Sequence, residues 1–129
     1  LGTDGLPARS FDNITVDGDG NVIVQEDPGN TPYIAKTWKI DPVARTAVQI
    51  LVSDRTRFSF DAPNGLTDDE ENSGVIEVTD LVSGANWYEA GRRYYLGNMQ
   101  AHYTLAGELV EGGQLYLAAS PRANAATKK

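Results

Sequence analysis

Short β-branched runs alternating with turn-forming residues set the pattern of this chain. Two such runs, residues 14–16 and 22–24, flank Asp17-Gly18-Asp19-Gly20-Asn21, residues that tolerate positive φ and so suit a tight reversal. A hairpin follows. Residues 33–40 alternate large apolar with polar side chains through their second half, Asp41-Pro42 stops them, and residues 46–52 resume in strand-like composition. That predicts a second hairpin. Four strands in about forty residues match one antiparallel blade or half of a small sandwich.

The second half reads less regularly. Residues 54–68, with Phe58, Phe60 and a turn at Pro63-Asn64-Gly65, predict a long connecting loop, and loops of this length tend to carry function. The acidic run Asp68-Asp69-Glu70-Glu71-Asn72-Ser73-Gly74 then feeds a strand over 75–79. Residues 80–85 predict a helical or turn segment, 95–103 a strand, 108–114 a turn and 115–119 a last strand. The Ala- and Lys-rich stretch 121–129 predicts a frayed tail. The fold class expected is all-β, with residues 1–129 as a single piece.

Charge narrows the function classes. Eleven basic against eighteen acidic residues leave a net charge of −7, which argues against a nucleic-acid or anionic-membrane partner and suits a cation site. With no cysteine, disulfides and thiolate metal sites are excluded. No apolar run has the length of a membrane span. The chain starts at Leu1 rather than Met, and the expectation is a processed chain or a piece of a longer one.

Folding the first hairpin brings Asp12 and Asn13 to the same end as Glu26, Asp27 and Asn30. Such converging hard oxygens suit calcium. The turn itself mimics the opening of an EF-hand loop, but counting from Asp17 puts Val22 and Pro28 where that loop needs Gly and Glu, so a plain hairpin turn is expected. In the acidic run, adjacent carboxylates repel one another; the run reads either as a solvated loop or as a second cation-binding group. Each acidic group falls at a strand end, where antiparallel blades form the mouth of a central channel. Trp87, Tyr88, Tyr94 and Tyr95 around Arg92-Arg93 read as core packing rather than base stacking. His102, the only histidine, reads as a structural hydrogen-bonding residue before a base or ligand.

Laid out in order, Phe11-Asp12-Asn13-Ile14-Thr15-Val16-Asp17, Gln25-Glu26-Asp27-Pro28-Gly29-Asn30, Tyr33-Ile34-Ala35-Lys36, Asp69-Glu70-Glu71-Asn72-Ser73-Gly74-Val75-Ile76, Gln100-Ala101-His102-Tyr103 and Glu108-Leu109-Val110-Glu111-Gly112-Gly113-Gln114-Leu115 form a recognisable series. The sequence resembles the C-terminal part of the PhoX-type alkaline phosphatase family and its phytase-like esterase relatives. The resemblance implies a β-propeller of which this chain supplies about two blades, with calcium and, in the best-understood members, iron in the central channel. It implies phosphate-monoester hydrolysis on small esters, and export to the periplasm or beyond. Carried over residue by residue, the metal candidates are Asp12, Asn13, Glu26, Asp27, Glu70 and Glu71. Arg92 and Arg93 are phosphate-binding candidates by residue type alone.

An isolated pair of blades leaves open edges, so the remainder of the propeller or another copy of the chain is the expected partner. The family's iron-holding cysteine is absent here, and hydrolysis by this piece alone is not expected. The alternative is a non-catalytic, calcium-stabilised β-domain that assembles through its sheet edges. A propeller lactone hydrolase is the third reading.

Overall fold

The computed structural model describes residues 1–120. The predicted tail, 121–129, lies outside them. Among the described residues, seven strands and one short helix follow in chain order: β1 (Phe11–Val16), β2 (Val22–Glu26), β3 (Lys36–Asp41), β4 (Thr46–Val52), α1 (Arg55–Phe58), β5 (Glu70–Glu77), β6 (Tyr94–Thr104) and β7 (Glu111–Ala119). They form two antiparallel sheets, ordered β1-β2-β3-β4 and β5-β6-β7. The all-β class therefore holds, as two open meanders.

The first hairpin turns as its residues require. Asp17 accepts from the amides of Asp19 and Asn21, while Gly20 takes a φ of 81°. Burial pushes the Asp17 carboxyl up, but bonds from Asn21 and Tyr95 outweigh it and hold it below the usual carboxylate range. Tyr95 Oη donates to Asp17 over 2.9 Å, and Arg93 bridges Asp19 and Glu77. The turn is thus tied to the second sheet.

The sheets meet face to face, with β1 and β2 against β5. Ile23, Val75 and Tyr95 form one buried apolar cluster, with Ile50 against it; Ile34, Phe58 and Ala101 form another. Gln25 donates to Tyr116 Oη across the interface. Period-two alternation sends the neighbouring residues to the outer faces. On the first sheet Val16, Val22, Ile40 and Ala47 stand in register. On the second, Ile76, Leu96 and Leu117 make a cross-strand row that is 54, 37 and 47% exposed.

Several predicted boundaries move. Glu70 and Glu71 do not precede the strand; they open it, paired with Ala101 and Gln100. The segment 54–68 contains α1, capped by the Asp54 side chain. Residues 80–85, expected as a helical or turn segment, form turns. β7 begins at Glu111, inside the predicted turn.

Candidate functional site

The acidic candidates come from one end of the two sheets. Adjacent residues on a strand point to opposite sides, so each Glu-containing pair is split. Glu26 is fully buried on the outer side of the first sheet, beneath the segment preceding β1. It accepts from the amides of Arg9 at 2.9 Å and Lys36 at 3.2 Å and from Trp38 Nε1 at 2.7 Å. Lys36 Nζ sits 3.8 Å from it and 3.0 Å from Asp4.

Glu70 is equally sealed but faces the first sheet. Its Oε1 accepts from Ala35 N–H at 2.9 Å, and its Oε2 has no partner. Burial pushes its carboxyl up to about 7, against the Ala35 bond and the nearby Ser53 hydroxyl and with a further push from Asp68. The consecutive amides of Ala35 and Lys36 are thus each held by one buried carboxyl. Both fix the start of β3, and with it the loop after β2.

Asp27 and Glu71, the other members of the pairs, meet. Burial raises the Glu71 carboxyl, and direct contact with the Asp27 side chain raises it further. Asp27 Oδ1 also accepts from Gly29 N–H. Asn13 joins from β1: its Nδ2 donates to Asp12 Oδ2 at 2.8 Å and to the Asn72 carbonyl at 3.1 Å. The register breaks between Phe11 and Ile14, between Asn72 and Gly74, and between Ala101 and Thr104. Bulges re-aim side chains, and these three surround the corner. Among the described residues no three His, Asp or Glu side chains are gathered so as to hold a metal ion by themselves. Asp27 and Glu71 supply two carboxyls, and any ion there needs further oxygens from Asn13, the backbone, water or another segment.

The remaining candidates are engaged elsewhere. Arg92 pairs with Glu89 at 3.0 Å, and Arg93 is occupied by Asp19 and Glu77. His102 lies on the outer side of the second sheet, its Nδ1 2.7 Å from Glu111 Oε2 and its Nε2 3.4 Å from Gln100 Nε2. The Glu111 bond raises its pKa above the ordinary histidine value. Ser73 Oγ reaches Gln100 Oε1 at 3.5 Å, so a polar chain runs from beside Glu71 to Glu111.

Sequence reading passed over Glu111, placed in a turn, and Arg9, placed in a loop. Nothing local marks either one, because their partners are distant in the chain. The larger clefts open between β4 and β7, lined by residues such as Leu51, Tyr95 and Ala118; one reaches Asn72, and neither is lined by Asp27 or Glu71. Comparison of the chain with protein-family models, curated proteins and solved structures gives no match.

Proposed function

We propose that this chain is part of a calcium-dependent phosphoesterase of the PhoX type, its two sheets serving as neighbouring blades of a propeller. The observation that carries the reading is the meeting of Asp27, from the end of β2, with Glu71 of β5. Two carboxyls in contact repel unless they share a proton or a cation. The corner lies where β1 and β5, the first strand of each sheet, come together, which is the relation of innermost strands in adjacent blades. The apolar rows on both outer faces are what neighbouring blades would cover. Asp27, Glu71 and Asn13 are the groups that would hold calcium, and the ion would offset charge developing on a phosphoryl group. Glu26 and Glu70 serve as buried supports in this reading. Iron, periplasmic export and a completed channel belong to the same proposal and rest on the resemblance.

Calorimetric titration with calcium tests it. Heat at or below millimolar calcium, weakened about tenfold or more in Glu71→Gln, is expected; no heat at millimolar calcium overturns the site. The open apolar rows equally favour a non-catalytic β-domain that assembles through its sheets. Hydrolysis of a chromogenic phosphate ester by the longest natural form, abolished by chelation, selects the enzyme. Chelation that only lowers the melting temperature selects the structural domain.

A further inference from the structure

The backbone of Arg9 runs beside the segment that carries Asp27, and its guanidinium has no carboxylate of its own among the described residues. Its Cζ lies 3.6 Å from the centroid of the Tyr33 ring. Its backbone is fixed by the bond from Arg9 N–H to Glu26, and the next residue, Ser10, accepts from Asp27 N–H at 2.9 Å. Arg9 therefore runs alongside the residues that present Asp27. Among the described residues no carboxylate lies within ion-pair distance of it. In a chain with eighteen acidic residues, that separation stands out from Arg92 and Arg93, both of which are paired. Moreover, Arg9 Nε is buried with no acceptor, a donor whose lost hydration no protein group replaces.

A ring stacked on one face of a guanidinium leaves its in-plane N–H edge for a ligand. That edge matches two oxygens of a tetrahedral or planar oxyanion. We infer that Arg9, its guanidinium over the Tyr33 ring, is an oxyanion-binding residue that grips the phosphoryl group at the acidic corner. The cation would neutralise one side of that group and the arginine fork the other. The inference rests on the phosphoesterase reading, and it places phosphate recognition on Arg9 instead of Arg92 or Arg93.

Inorganic phosphate is the probe, titrated by calorimetry and by phosphorus-31 line broadening, with sub-millimolar calcium and separately in chelator. The full chain and its Arg9→Gln, Arg9→Lys and Tyr33→Leu variants are compared. Arg9→Gln is expected to weaken phosphate binding about tenfold or more and to leave the calcium heat intact. Arg9→Lys keeps the charge but not the fork, and Tyr33→Leu keeps the fork but not its support; each is expected to lose severalfold. If Arg9→Gln does not fold, by circular dichroism, the lysine variant decides. Phosphate binding unchanged in the decisive variant, or absent from the unmodified chain in both conditions, overturns the role of Arg9. Absence of calcium heat from the unmodified chain overturns the cation site instead, and arginine-dependent phosphate binding in chelator would then stand alone.

Discussion

Glu70→Gln isolates the cost of ionising a sealed carboxyl. In the folded chain Glu70 is inaccessible, with one oxygen on the Ala35 amide and the other without a partner. Its carboxyl is moved from an ordinary 4.5 to about 7, chiefly by burial. The folded state therefore holds the proton more tightly than the unfolded state does. Stability associated with that proton is fully present below pH 4.5 and is lost as the pH rises towards 7. At ~1.4 kcal/mol per pH unit, the loss amounts to roughly 3 kcal/mol.

Glutamine has the shape of the protonated acid and keeps an oxygen for the Ala35 amide, but has no proton to lose in this range. Urea unfolding of both proteins from pH 4 to pH 8 should give nearly equal stabilities at the acid end. The variant should become more stable by roughly 2–3 kcal/mol at the alkaline end. Glu71, also raised by burial and by Asp27, titrates in both proteins and drops out of the difference. A difference that does not vary with pH would refute the argument, because it would mean that Glu70 ionises no less easily folded than unfolded.

Glu26 should behave in the opposite way, since its oxygens are fully used. Glu26→Ala strands the amides of Arg9 and Lys36 and Trp38 Nε1, and leaves the buried Lys36 ammonium with Asp4 alone; it should cost about 3–5 kcal/mol in chemical denaturation, and a loss under about 1 kcal/mol would contradict it. His102 should titrate above the ordinary histidine value because Glu111 holds its protonated form. Glu111→Gln should move the nuclear magnetic resonance titration midpoint of the ring down. The pair's contribution to stability is present below pH 6.5 and fades as the pH rises through the elevated value, by less than about 1 kcal/mol for so exposed a pair.

The strands carrying plain alternation were legible in the sequence, and β4 spans the predicted 46–52. Where glycine or charge dominates, reading from local composition gave loop. Gly112 and Gly113 read as a turn because glycine usually punctuates strands. In the fold Gly112 is inside β7, where a Cβ would lie 2.0 Å from the Tyr103 ring. The glycine is there to let an aromatic ring lie on the backbone, and that neighbour is invisible from residues 108–114. Likewise Glu70 reads as one of four loop acids, solvated or cation-binding. It is buried because an amide 35 residues earlier, at Ala35, needs an acceptor. Such long-range demands outweigh local preference, and no composition window contains them.

The acidic corner was foreseeable as a convergence but not in its division of labour. Glu26-Asp27 and Glu70-Glu71 are adjacent pairs, and strand parity gives each pair one buried and one corner-facing member. The buried members, Glu26 on the outer side of the first sheet and Glu70 between the sheets, hold the amides of Lys36 and Ala35 from opposite sides. Because those amides are consecutive, the two buried acids immobilise one point of the chain, the entry to β3. The loop leading to that point contains Asp27, Gly29 and Tyr33. Displacing Glu26 or Glu70 should therefore disturb Asp27 and the ring beneath Arg9 without touching either directly. On the proposed reading, cation and oxyanion binding at the corner would depend on those two acids remaining structural, so that four carboxylates that look alike in sequence divide into two buried supports and two candidate ligands.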